Sequence, residues 1–236
     1  MSKSIACSSL ALTMLLILSA MVTSGQDSKD SASTPHLDSL DGLKVVNGEA
    51  EMVTYQGRRA LHLIPAKGHE NTDQAMWAIL TGTDFTDGTI EVDVAGAPHP
   101  GSSQEMRGFI GVLFRAQSNG PHAEEFYIRP TNGRSDDQLR RNHSTQYESV
   151  PDFPWPRLRK ESPGMYESYV DLNPGAWTKI KIEVSGAKAR FYVNGADQPC
   201  LIVNDLKLGE THGQVGFWGE WSTDAYFSNF AIRNNR

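Results

Sequence analysis

From residue 38 onward, most of the chain consists of extended runs in which apolar residues recur at every second position. In TIEVDVAG, Ile90, Val92 and Val94 alternate with Thr89, Glu91 and Asp93, and in WTKIKIEV, Ile180, Ile182 and Val184 alternate with Lys179, Lys181 and Glu183. A period of two turns one side of a strand to a core and the other to water. RGFIGVLFRAQ, from Arg107 to Gln117, is apolar on both sides. It reads as a central strand covered on both faces, with Gly108 and Gly111 where a neighbouring backbone comes close. Asn47-Gly48 predicts a hairpin between LKVV and EAEMVTY, because both residues accept positive φ. GRRALHLIP and QAMWAIL follow as strands, and turns at Ser185-Gly186 and Asn194-Gly195 predict a three-strand meander. GQVGFWGEWSTDAYFSNFAIR closes the chain as one or two further strands, the last expected to pair near the first. No window of a dozen residues carries a 3.6-residue period. Ten or more strands without a clear helix predict an all-β fold, a two-sheet antiparallel jelly-roll sandwich.

The first residues break this pattern. Lys3 precedes an apolar run from Leu10 to Val22, followed by Thr23, Ser24 and Gly25. That arrangement predicts a signal peptide over residues 1–25, and the run is shorter than the roughly 20 residues a membrane span needs. Residues 26–37, polar and small, read as a flexible tether, and residues 38–236 as a single domain. The expected product is secreted or periplasmic, with no membrane insertion after signal cleavage. Its formal net charge is −6 with Lys3 included, which argues against nucleic acid as a partner, since phosphates want clustered Lys and Arg. Cys7 lies in the signal, so Cys200 has no intrachain partner. In the apolar QPCLIVN it reads as a buried, inert thiol.

The least scaffold-like stretch is Glu124 to Leu172, which mixes balanced charge, prolines and five aromatics between Tyr147 and Tyr169. In EEFYIRP, alternation puts Glu125, Tyr127 and Arg129 on one face and Phe126 and Ile128 on the other. Arg offers a planar fork for carboxylates or vicinal hydroxyls, and Tyr offers a stacking face with a polar tip. Asp137, Arg141, His143 and Gln146 crowd a segment that, read as extended, has too few apolar residues for a structural strand. A solvated edge strand is the competing reading. Trp155 stands between two prolines, outside regular structure, as a platform for a sugar or a plug for the core. YESYVDL reads as an alternating strand that includes Tyr166 and Glu167.

Three segments carry a resemblance. The block from Gly175 through WTKIKIEVSGAKARFYVNG, the terminal GQVGFWGEWSTDAYFSNFAI and the earlier FTDGTIEVDV are similar to strands of the concanavalin A-like lectin and glucanase superfamily. Within it, the chain most resembles laminin-G-like and 3-keto-disaccharide-hydrolase-like secreted domains, from Leu40 onward. The resemblance implies the sandwich fold and a saccharide or glycan as partner. It leaves function open, because this fold hosts lectins, hydrolases, lyases and adhesion modules alike. It also leaves room for one structural Ca²⁺, which no spacing announces. Glucanases of the superfamily carry E-x-D-x-x-E on one strand. Here Glu91 and Asp93 supply two carboxylates and Gly96 stands in the third place, so this strand alone cannot hold the carboxyl pair of a retaining mechanism.

These readings converge on a secreted domain that binds carbohydrate in a concave groove, as a hydrolase or lyase or as a non-catalytic lectin-like or adhesion module. The candidate catalytic residues are Glu167, His143 and Glu125. The candidate ligand-binding residues are Arg115, Tyr127, Arg129, Asp137, Arg141, Gln146, Tyr147, Trp155, Tyr166 and Trp218. What separates enzyme from lectin is whether His143 and a carboxylate meet within hydrogen-bond reach of one pocket.

Overall fold

The computed structural model describes residue 1 and residues 37–69, 74–103, 105–118 and 122–235. The expected signal peptide, apart from residue 1, lies outside the described residues, as do Cys7 and the tether apart from Leu37. Two antiparallel sheets of seven strands face each other. The first runs in the order β1 (Leu43–Val46), β4 (Met76–Phe85), β13 (Gly213–Gly219), β6 (Ile110–Ala116), β7 (Ala123–Ile128), β8 (Thr145–Val150) and β9 (Glu167–Ser168). The second runs β12 (Leu201–Val203), β11 (Lys188–Val193), β10 (Thr178–Ser185), β5 (Gly88–Pro98), β14 (Thr223–Asn234), β3 (Arg58–Pro65) and β2 (Gly48–Tyr55). Among the described residues no helix is long and apolar enough to cross a membrane.

The alternating strands behave as their pattern predicts. Ile90, Val92 and Val94 of β5 and Ile180, Ile182 and Val184 of β10 enter the core between the sheets. They meet Val112, Phe114, Phe126 and Phe217 from the first sheet. Aromatic contacts bridge the layers: Phe126 stacks on Phe191 at 5.1 Å, and Phe217 meets Phe227 at 4.9 Å. Every residue of β6 is buried, as expected of a strand covered on both sides. Gly111 is required there, since a Cβ would lie 2.1 Å from the Phe126 carbonyl oxygen of β7. Cys200 is half-buried, its Sγ 3.3 Å from the Phe191 carbonyl, and burial pushes its thiol up to about 12.

Five expectations need correction. Asn47-Gly48 does not close a hairpin: β1 pairs with β4 in one sheet and β2 with β3 in the other, so the chain changes sheets there. The positive φ of Asn47, 56°, serves that crossing, and the β2–β3 hairpin turns instead at Gln56-Gly57, φ 47° and 76°. The last strand, β14, lies between β5 and β3, with the first strand in the opposite sheet. Residues read as extended from Gln138 include a short helix α1 (Gln138–Arg141), and Trp155 opens a second, α2 (Trp155–Glu161). YESYVDL contributes only the two-residue β9.

Glu91 and Asp93 sit on the outward side of the second sheet among basic partners. Arg233 lies 3.3 Å and Lys179 3.7 Å from Glu91, while Arg58 and Asn229 each donate to Asp93 at 2.7 Å. A side chain at Gly96 would place its Cβ 2.6 Å from Ile110 Cγ2 and 2.7 Å from the Gly108 carbonyl oxygen. The strand that bears the carboxylates of glucanases is here a solvated, ion-paired face.

Candidate functional site

The site grows from the end of β7. Phe126 and Ile128 are committed to the core, so Glu125 and Tyr127 project to the other face. Arg129 follows at the strand end, its N–H donating to the Ser144 carbonyl. The chain then passes a 3-10 turn (Pro130–Asn132) into α1. Asp137 caps this helix, its carboxylate accepting from Leu139 N at 2.9 Å and Arg140 N at 3.2 Å. On the far side, Ser144 Oγ accepts from Val170 N at 2.7 Å, and β9 pairs Glu167 with Gln146 of β8. These bonds fix His143 beside Glu167. Trp155 N donates to Glu148 at 2.7 Å and Leu158 enters the core, which leaves Arg159 of α2 pointing back to Glu167.

A cleft of about 340 Å³ results, lined among others by Arg107, Phe109, Arg129, Arg140, His143 and Trp155. A second cavity of about 750 Å³ shares His143 and Arg159 with it and adds Glu167 and Tyr169. His143 Nε2 lies 3.2 Å from Glu167 Oε1, and Arg159 grips both oxygens of that carboxylate, at 2.6 and 3.0 Å. Burial lowers the His143 pKa, with the Arg159 and Arg129 charges acting the same way and Glu167 opposing. The imidazole is therefore neutral at neutral pH. With Nε2–H given to Glu167, Nδ1 carries the lone pair. Trp155, more than a third exposed, lies under Arg159 at 4.6 Å.

Arg129 is almost wholly buried, yet its fork is satisfied by neutral groups. It donates to the His143 carbonyl at 3.0 Å, the Tyr127 hydroxyl at 3.1 Å and Gln146 Oε1 at 3.0 Å, and it faces the rings of Phe109 and Tyr127 at about 5 Å. Behind it, Glu125 and Glu148 stand opposite each other across the β7–β8 pair, both buried. Loss of water raises both carboxyls, and the neighbouring Glu148 charge raises Glu125 further, so Glu125 holds its proton well above the usual carboxylate range.

Four predicted residues line the cleft, Arg129, Asp137, His143 and Trp155; Tyr127 and Gln146 bond Arg129 from behind, and Glu167 lines the adjoining cavity. Arg141 stands beside the cleft, donating to Tyr169 Oη at 3.0 Å. The others lie elsewhere. Arg115 is fully buried at the end of β6, donating to the carbonyls of Thr86, Gly186 and Gly209 and to Asp87. Tyr147 faces the inter-sheet interior and donates to Glu124 at 2.7 Å, and Tyr166 donates to Asp205 at 2.7 Å. Trp218 stacks on Tyr127 at 4.5 Å and does not line the cleft. Glu125 sits beneath the cleft wall without lining it. Arg107, Phe109, Asn132, Arg140 and Arg159 were not among the expected site residues. For Arg140 and Arg159 the only signal was the density of arginines in LRRNH and WPRLRK, which a solvated helix face would produce equally well; Arg107, Phe109 and Asn132 had none. Among the described residues, no group of three or more His, Cys, Asp or Glu side chains is arranged to hold a metal ion.

Residues 23–233 match a family model described as the 3-keto-alpha-glucoside-1,2-lyase-like domain. No curated protein matches the sequence. Among solved structures, the carbohydrate binding module CBM66 from Bacillus subtilis is similar in fold, with a TM-score of 0.56 and 14% identity over 82% of this chain and 96% of that one. A Bacillus subtilis protein of unknown function with a galectin-like fold gives a TM-score of 0.53 at 15% identity, over 83% of this chain and 90% of its own. The cellulose induced protein Cip1 gives 0.50 at 12% identity, over 84% and 94%.

Proposed function

Since the chain belongs to the 3-keto-alpha-glucoside-1,2-lyase-like domain family, we propose that it binds a keto-glycoside in the His143 cleft and cleaves the glycosidic bond by elimination. One observation carries this reading: His143 and Glu167 meet at 3.2 Å, Glu167 is held by Arg159, and His143 opens on the arginine-lined cleft while Glu167 lines the adjoining cavity. Saccharide binding draws support from the CBM66-like fold and from Trp155 and Phe109, whose rings suit sugar faces.

A ketone at C3 of a glucoside acidifies the hydrogen on C2, and its removal needs a neutral base and a cation at the developing oxyanion. The neutral imidazole of His143 takes the C2 proton while Glu167 fixes the ring and stabilises the imidazolium. The C–H electron pair passes into the carbonyl, forming an enolate whose charge falls to Arg129, the guanidinium bonded to the His143 carbonyl. The enolate then re-forms the ketone as the C1–O bond breaks. The departing oxygen takes the proton back from His143, giving a 1,2-unsaturated keto sugar and an alcohol, with no water consumed. Two-carboxylate hydrolysis fits less well, because Glu125 and Glu148 are sealed beneath the wall and Glu167 is already clamped.

The test is to incubate the protein with methyl 3-keto-α-glucoside and follow methanol release together with enone absorbance. His143→Asn is expected to lower turnover about 10²–10⁴-fold with binding retained. Unchanged turnover removes His143 as the base. Binding without turnover by the wild type replaces the lyase with a non-catalytic lectin-like module. Export to the periplasm or medium is part of the proposal, and N-terminal sequencing of exported protein is expected to start near residue 25.

A further inference from the structure

The chain as a whole is acidic, at net −6, yet the cleft wall carries Arg107, Arg129, Arg140 and Arg159 against the single carboxylate of Asp137. Asp137 is spent on capping α1. Arg159 is neutralised by Glu167, and Arg107 pairs with Glu105, an exposed side chain. Among the described residues, no carboxylate lies within ion-pair distance of Arg129 or Arg140. Arg129 belongs to the reacting end, beside His143. Arg140 is different. Its Nε donates to Asn132 Oδ1 at 2.9 Å and one terminal nitrogen to Thr131 Oγ1 at 3.0 Å. These bonds aim the guanidinium and leave its second terminal nitrogen for a ligand. Burial and the nearby Arg107 charge both disfavour its protonated form. The exposed Glu105 and Asp137 offset this repulsion only in part, and an anion placed between Arg107 and Arg140 lowers it further.

We propose that the saccharide taken by this cleft carries a carboxylate or sulfate group, held by Arg140 with Arg107. The inference rests on the saccharide reading above and deepens it. A guanidinium fork matches the two oxygens of a carboxylate or sulfate, which neutral hydroxyls match less strongly. A basic cleft on a chain of net negative charge also focuses field lines on its entrance and raises the local concentration of anions there.

The experiment is calorimetric titration of the full chain with four probes: methyl α-D-glucuronide, methyl 6-sulfo-α-D-glucoside, methyl α-D-glucoside and inorganic sulfate. One or both charged glycosides are expected to bind at least about tenfold more tightly than the neutral one at low salt, and which of them does so separates carboxylate from sulfate. Arg140→Gln is expected to erase that difference, leave affinity for methyl α-D-glucoside unchanged and keep the melting temperature. Arg107→Gln, read the same way, serves if the first variant does not fold. Equal affinity for charged and neutral glycosides overturns the inference and leaves the saccharide reading standing. Binding of sulfate with no binding of any glycoside overturns both.

Discussion

His143 shows how far one side chain can be read from its neighbours in sequence. RRNHST exposes a histidine among charges, but its partner Glu167 arrives only after α2 and a loop, and no spacing rule links the two. The pairing depends on Ser144 tying Val170 to the start of β8. The pH dependence follows from the direction of the shift. Turnover needs the neutral imidazole, so activity is expected to rise with pH through a midpoint below the ordinary histidine value of about 6.5. Glu167→Gln removes the nearer of the two carboxylates, Glu167 and Asp137, that hold the His143 proton on, so it should move this limb to still lower pH while cutting turnover about a hundredfold. A pH–rate profile of both proteins checks the sign, and a limb moving upward would exclude Glu167 as the partner of the base.

At the scale of elements, period-two strands were legible and short helices were not. β5 and β10 bury the residues their alternation names, because burial on one face is what the pattern encodes. The four-residue α1 and seven-residue α2 contain too few turns to show a 3.6 period, and both carry arginines that face the cleft. The β7–β8 pair illustrates another limit: alternation put Glu125 on the face of Tyr127 but could not reveal Glu148 across the ladder. That pair has a measurable consequence. Its carboxyls titrate higher folded than unfolded, so their contribution to stability is complete below about pH 4.3 and is lost as pH rises through the raised folded values. Glu125→Gln is expected to flatten a fall of up to about 1.4 kcal/mol per pH unit and to be the more stable protein under alkaline conditions. Urea unfolding across pH decides this, and parallel curves would show that the pair does not titrate on folding.

For the whole molecule, the two-sheet sandwich was written in the succession of strands, while the assignment of strands to sheets was not. Asn47-Gly48 looks the same whether it reverses a chain within a sheet or passes it to the next. Arg115 has the same ambiguity on a larger scale. As an arginine at the polar end of an apolar strand it resembles a ligand contact, but its donors reach the β4–β5 connection, the β10–β11 turn of the second sheet and the segment before β13. It ties both layers at one end of the sandwich. Arg115→Met strips the cation from those acceptors and is expected to cost about 3–5 kcal/mol, seen as a lower urea midpoint. Glycoside affinity of the folded fraction should not change, and a loss of affinity at unchanged stability would return Arg115 to the binding surface.

Ser144 Oγ bonds Val170, and between these two anchors the chain supplies Trp155 and Arg159 to the cleft and most of the lining of the adjoining cavity, without lending a residue to the central strands β13 and β6. Such an arrangement separates what must be inherited intact from what can vary. The stretch from residue 151 to 165 lies at the sheet margin and can change in length or sequence while β4, β13 and β6 keep their register, provided Leu158 keeps its place in the core. For a designer this makes the β8–β9 connection a replaceable cassette, with new recognition chemistry limited by the need to leave β8 and Glu167 in place and to keep Leu158 in the core.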